Sequence, residues 1–358
     1  MKNFYIKDIK VGEGCPPFIV AEISANHNGS LEAAKEIILA ASQAGANAIK
    51  LQTYTPDSMT IDIDNEDFKI KGGLWDGYTL YDLYQEAHTP YEWHKELFDF
   101  SSKLGLVCFS SPFDEDAIDF LENLNAPAYK IASFEATDLS LIKYAASTKK
   151  PLIISTGMAN LDEISEVVDT AKAAGCLNLI LLHCISSYPA PIEEVNLKTI
   201  LDLKDRFNLN IGLSDHTLTN SAAISSIALG ACLIEKHFIL DRGMKGPDSE
   251  FSIQPNELSD LVVSCKEAWL SLGKVDYSLK SAEKDNIKFR RSIYCVRDLK
   301  KGETINPENV KRIRPGFGLP PKYIDKIIGL KVKRDLSRGT PLSWDDLDIN
   351  DFSEVHKD

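Results

Sequence analysis

Eight short apolar runs recur along the first three-quarters of the chain, and each turns polar at its C-terminal end. They are "FIVAEIS" (18–24), "AIKLQT" (48–53), "VCFSSP" (107–112), "AYKIAS" (128–133), "PLIISTG" (151–157), "LILLHC" (179–184), "IGLSDH" (211–216) and "CLIEKHF" (232–238). A short continuous apolar run reads as a parallel strand covered on both faces by helices. The segments between have helical spacing. In "SLEAAKEIILAASQAGA" Ser30 is placed to cap a helix and a glycine stands near its end. "TPYEWHKELFDFSSKLG" opens on Thr then Pro, a favoured cap and first-turn pair. "NLDEISEVVDTAKAAG" and "NSAAISSIALGA" repeat the pattern. Strands alternating with helices predict an α/β fold, and the count of eight favours a closed (β/α)8 TIM barrel over an open doubly wound sheet.

The 358 residues suit one large domain plus a small one. We read a barrel over 1–272, a linker over 273–287, a small C-terminal domain over 288–350 and a tail over 351–358. Composition supports the division. Residues 286–341 hold 15 Lys and Arg against 5 Asp and Glu, a local +10 in a chain of net −13, which leaves −23 on the rest. The overall charge argues against nucleic-acid binding by the whole molecule. The basic segment suits nucleic acid, an anionic substrate or an acidic partner surface; docking on an acidic barrel, its own or a twin's, is the most economical use. The seven cysteines are scattered, without a CxxC, and read as buried free thiols. "MKNFYIKDIKVGEG" has no apolar core of a signal peptide and no run reaches membrane-span length. The expected location is the cytoplasm.

Strand ends of a barrel converge on one site. Here they supply Glu22, Lys50, Gln52, Ser110, Ser111, Lys130, Ser133, Ser155, Thr156, His183, Ser186, Ser214, Asp215, His216, Glu235, Lys236 and His237. Lys50 and Lys130 with several hydroxyls suit a phosphorylated or carboxylated ligand. His216 and His237 end neighbouring strands roughly 5 Å apart, within reach of one divalent metal. Read singly, a strand-end histidine is more often a hydrogen-bonded brace than a ligand; His27 in "SANHNGS" suits a loop brace or chemistry equally, and His88 and His94 read as structural. His183, one residue before its strand end, is a candidate for the barrel wall. Glu22 suits proton transfer or a sugar hydroxyl. Residues 54–88 form a long insertion after the second run, either a lid or specificity element or a structural flap. GxGxxG between strand and helix, GxxxxGK[ST] and GxSxG are absent, against a Rossmann dehydrogenase, a P-loop NTPase and an α/β-hydrolase.

The blocks "AEISANHNGS", "GANAIKLQT", "KIASFEATD", "STGMA", "HCISSYPAP", "GLSDHT" and "EKHF" resemble the signatures of the sialic acid synthase family. "RRSIY", "KKGE" and "RPGFG" resemble its antifreeze-like (SAF) domain. Within the family, "YTPDSMT", "DFKIKGGLWDG", "LYQEAHTPYEWH" and "CFSSPF" are most similar to the branch that makes pseudaminic acid. Phe134 stands where N-acetylneuraminate synthases typically carry Gly, and Ser249 where they carry His. The resemblance implies condensation of phosphoenolpyruvate with an open-chain amino-sugar aldehyde, 2,4-diacetamido-2,4,6-trideoxy-altrose, whose methyl suits an apolar wall at Phe134. It implies a divalent metal (Mn²⁺, Mg²⁺ or Co²⁺) on His216 and His237. Lys50, Ser111, Lys130, Ser133, Ser155, Ser186 and Ser214 would hold phosphoenolpyruvate. Ser186 replaces the Asn typical of sialic acid synthases. Glu22, Gln52, Glu135, Tyr188 and Asp248 would face the sugar, with Glu22 transferring the proton. Arg314 would reach from the SAF domain over the partner's site in a homodimer. Other outcomes are N-acetylneuraminate or legionaminate synthesis, another phosphoenolpyruvate-condensing barrel, or a sugar- or nucleic-acid-binding protein.

Overall fold

The computed structural model describes residues 3–349. An antiparallel hairpin, β1 (Phe4–Ile6) and β2 (Ile9–Val11), precedes a closed parallel barrel. Its strands are β3 (Phe18–Glu22), β4 (Ala48–Thr53), β5 (Val107–Pro112), β6 (Tyr129–Ile131), β7 (Leu152–Ser155), β8 (Leu179–Cys184), β9 (Asn210–Asp215) and β10 (Ala231–His237), closed by β10 on β3. The helices that return the chain are α1 (Leu31–Gln43), α4 (Tyr91–Lys103), α5 (Glu115–Asn123), α6 (Leu139–Ser147), α7 (Leu161–Ala173), α8 (Thr199–Phe207), α9 (Ser221–Ala228) and α10 (Pro255–Leu272); α2 (Pro56–Met59) and α3 (Leu80–Ala87) lie in the insertion. The (β/α)8 expectation holds. Ser30 caps α1 by accepting from Ala33 N at 3.2 Å. The expected Thr–Pro start of α4 differs: Pro90 occupies the cap position and the Thr89 hydroxyl bonds His27 Nε2 at 3.2 Å instead.

Two apolar cores follow from the two-residue side-chain period of a strand. Ile19, Ile49, Tyr129, Ile154, Leu181 and Ile234 point outward and pack under the helices. Phe18, Val20, Val107, Phe109, Ile153, Ile180, Leu182 and Leu233 point inward, and Phe4, Ile6 and Val11 of the hairpin join them. The interior is thus filled from its N-terminal end. Continuing the inward rows by two residues reaches Glu22, Lys50, Ser111, Lys130, Ser155, Cys184, Ser214 and Glu235, where the filling turns polar.

The chain divides into two compact units between Gly273 and Lys274. The second holds a 3-10 segment (Ser281–Phe289), the antiparallel pair β11 (Ser292–Cys295) and β12 (Val310–Ile313), and α11 (Ile324–Ile327). Ile293, Leu299, Val310, Ile327, Val332 and Leu342 form its own core. Residue 350 and the tail 351–358 lie outside the described residues. All seven cysteines are buried and free. Among the described residues, no helix is long and apolar enough to cross a membrane.

Candidate active site

The polar top of the barrel interior is a network of buried charges. Glu22 is in register with Lys50 on one side and His237 on the other. Lys50 Nζ lies 2.7 Å from Glu22 Oε2 and 3.3 Å from Glu235 Oε1, and donates to Ser111 Oγ at 3.4 Å. Lys130 Nζ is 3.4 Å from Glu235 Oε1, which also accepts from Ser214 Oγ at 3.4 Å. Glu22 Oε1 accepts from Ser24 N at 3.0 Å and Gln52 Nε2 at 3.4 Å. Buried charges persist only when paired. Burial pushes the Glu22 carboxyl up, but the Lys50 ammonium and His237 bring it below the usual value. Glu235 is likewise held low, against burial, by Lys130 and Lys50. Burial pulls Lys130 below the ordinary lysine value despite Glu235, whereas the two carboxylates outweigh burial and hold Lys50 above it.

Beside this floor the rings of His216 and His237 lie 5.5 Å apart, centroid to centroid. His216 Nδ1 donates to Ile185 O at 2.9 Å, which leaves Nε2 its lone pair, the arrangement common to metal-ligating histidines. His237 Nδ1 is 3.2 Å from Asp248 Oδ2. Two buried atoms nearby, His237 Nδ1 and Glu235 Oε2, have no hydrogen-bond partner. Nitrogen donors with carboxylate oxygens around them suit a divalent cation. No group of three or more His, Cys, Asp or Glu forms a cage among the described residues. The pair would therefore need water or substrate to complete a coordination shell, as open catalytic sites do.

The hydroxyls gather on the third side. Ser133 Oγ accepts from Gly157 N at 3.2 Å. A Cβ on Gly157 would sit 2.2 Å from Ser186 Oγ and 2.7 Å from Ser133 Oγ, so both hydroxyls converge on its bare face. Ser155 Oγ is buried without a hydrogen-bond partner. Cys184 Sγ lies 3.9 Å from Ser186 Oγ and 3.8 Å from His216 Nδ1.

A cavity of about 380 Å³ opens above these groups. Lys50, Gln52, Lys130, Ser133, Phe134, Glu135, Tyr188, Ser214, His216, His237 and Asp248 line it, as does Glu235. Glu22 and Ser111 are fully buried and reach it through Lys50. Burial raises the Glu135 carboxyl above its ordinary value. The insertion supplies the apolar wall: Met59, Ile70, Leu80, Leu83 and Tyr84. Trp75 fastens it, donating from Nε1 to Pro247 O at 2.8 Å with its ring 5.9 Å from Tyr188.

The side-chain period removes some strand-end residues from the site. His183 faces outward and bonds Val195 O at 2.5 Å. The Ser110 hydroxyl is 2.6 Å from Thr53 Oγ1, Thr156 Oγ1 donates to Leu182 O at 3.1 Å, and Lys236 pairs with Asp215 at 2.8 Å. His27 and His94 are buried braces, each pushed by burial down to about 4 and so uncharged near neutrality. His88 is on the surface side of the insertion and bonds Gln85 O. Arg314 is exposed, directly after β12 in the second unit. A hollow of about 580 Å³ at the N-terminal barrel end carries no comparable chemistry; its Glu13 and Lys204 pair with each other at 2.9 Å.

The NeuB family profile matches residues 37–277 and the SAF domain profile residues 290–348. A pseudaminic acid synthase of Campylobacter jejuni is 47% identical over 329 residues, covering 92% of this chain and 96% of the relative. Another, of Helicobacter pylori, is 45% identical over 335 residues, covering 93% and 98%. The structure of an N-acetylneuraminic acid synthetase from Leptospira borgpetersenii in complex with citrate superposes with a TM-score of 0.72 at 31% identity, covering 81% of this chain and 96% of that one.

Proposed function

The chain belongs to the NeuB family, and from that premise we propose that it is a pseudaminic acid synthase. It would join phosphoenolpyruvate to the open-chain aldehyde of 2,4-diacetamido-2,4,6-trideoxy-altrose and release phosphate. The observation that carries the chemistry is the pair of buried lysines and converging hydroxyls beside two imidazoles at one barrel mouth. Lys50 and Lys130 hold the anionic groups of phosphoenolpyruvate, with Ser111, Ser133, Ser155, Ser186 and Ser214 as further partners. C3 of phosphoenolpyruvate attacks the aldehyde carbon. Water adds at C2, and the tetrahedral intermediate loses phosphate by C–O cleavage. Glu22, ionised and bonded to Gln52 and Lys50, is the group for proton transfer. A divalent metal (Mn²⁺, Mg²⁺ or Co²⁺), bound by His216 and His237, would polarise the aldehyde oxygen. Gln52, Glu135, Tyr188 and Asp248 face the sugar. Phe134 and the insertion's apolar wall favour a sugar carrying a methyl and two acetamido groups.

The test is phosphate release from phosphoenolpyruvate with Mn²⁺, offering the altrose sugar, its legionaminate-type isomer and N-acetylmannosamine in parallel. Turnover with the altrose sugar alone is the expected result. Preference for N-acetylmannosamine would overturn the sugar assignment and keep the reaction.

The active form would be a homodimer in which Arg314 of one subunit serves its partner's sugar. Support comes from Arg314 being exposed in a unit whose segment 286–341 carries +10. Arg314→Ala should raise the sugar KM about tenfold. At sugar well below KM, where Arg314→Ala alone keeps about a tenth of the activity, co-expressed Arg314→Ala and His216→Ala chains should reach about a quarter of wild type, since one site of each mixed dimer is intact. No recovery, or an unchanged KM, would sink the cross-subunit role. The reading locates the enzyme in the cytoplasm, supported by seven buried thiols and no disulfide.

A further inference from the structure

We propose that Lys236 and Asp215 are a positioning pair that sets the separation of His216 and His237. The pair is outside the site, on the outward faces of β10 and β9, and its side chains are each 1% exposed. Lys236 and Asp215 are register partners across the two strands. Each immediately precedes one of the two histidines in the chain. An outward contact at this point therefore fixes where the next residue of each strand turns inward.

The ammonium is fully used. Lys236 Nζ donates to Asp215 Oδ2 at 2.8 Å, to Thr217 O at 2.5 Å and to Thr219 O at 3.2 Å. Those three acceptors match its three protons. Asp215 Oδ1 accepts from Thr217 N at 3.0 Å. One side chain of β10 thus holds the residue before His216, the residue after it and the start of the following loop. The strand residues two places back on that face, Leu213 and Ile234, are apolar, although the Arg242–Glu257 ion pair also acts on Lys236. Stability alone does not call for an ion pair there, because well-packed apolar residues serve as well or better. What the pair adds is direction: an ammonium with three fixed acceptors allows one register and one loop path.

The inference rests on the reading that His216 and His237 share a divalent cation, and its test separates the two. Mn²⁺ binding to the metal-free full-length protein, without substrates, is followed by electron paramagnetic resonance. Wild type is compared with Asp215→Asn, which keeps the shape, Lys236→Arg, which keeps the charge, and Asp215→Asn with Lys236→Met, which removes both charges. We expect one site per chain in the wild type. We expect a Kd raised about tenfold or more in folded variants whose melting temperatures stay near the wild type. A Kd within twofold of wild type in a folded variant would overturn the positioning role and leave the metal assignment standing. Failure of all three variants to fold would make the pair a folding element and overturn it too. No Mn²⁺ binding by wild type would overturn the metal reading itself.

Discussion

Replacing His216 or His237 by Ala is expected to abolish metal-dependent phosphate release, lowering kcat/KM by about 10³-fold or more. Both imidazoles sit where the barrel interior turns polar, outside its apolar filling. His216 gives up its hydrogen bond to Ile185 O and its longer contact with Cys184 Sγ, and His237 its contact with Asp248, so loss of fold is not the reason for the effect. If the two act as one unit, the double variant should be hardly worse than either single one. Steady-state phosphate release across a Mn²⁺ titration reads this directly. Near-normal activity in either single variant would refute the metal assignment.

Gly157→Ala should raise the KM for phosphoenolpyruvate about 100-fold or more and leave the sugar KM within a few-fold. Gly157 is not in the left-handed region of the backbone map, so an L side chain is conformationally permitted there. The obstacle is local. The new Cβ would lie 2.2 Å from Ser186 Oγ and 2.7 Å from Ser133 Oγ, and both hydroxyls would have to rotate away. Each lost hydrogen bond to a charged ligand is worth about 1.5–3 kcal/mol, so two lost bonds carry the expected factor. The melting temperature should stay within a few degrees of wild type. An unchanged KM would remove Ser133 and Ser186 from the anion pocket.

All eight strands were legible, to within a residue or two at most ends, because each is buried on both faces and reads as an apolar run that turns polar toward its C-terminal end. The polar strand ends were legible as a group but not individually. The end of a run marks the mouth of the barrel; the two-residue period decides which ends face in. That period sends Ser214, His216, Glu235 and His237 inward and Asp215, Lys236 and His183 outward. Glu235, the residue that joins both lysines, stood among the strand ends without a role, since a carboxylate's partners come from other strands. The wall from Met59 to Tyr84 is only partly periodic: Leu80, Leu83 and Tyr84 share a helical face of α3, while Met59 and Ile70 are signalled only by aromatic residues clustered in a loop too long to be idle. Thr89 read as a cap by composition, and tertiary contact with His27 overrode it.

The way Trp75 is fastened to Pro247 has a consequence for descent. The floor of the cavity is assembled from strands scattered over more than two hundred residues, so it can change only by many coordinated substitutions. Much of the apolar wall comes from one uninterrupted stretch, moored at a backbone carbonyl that any residue type would present. A barrel built this way can alter the apolar side of its cavity by recombining a single segment, while the residues of the floor are inherited intact.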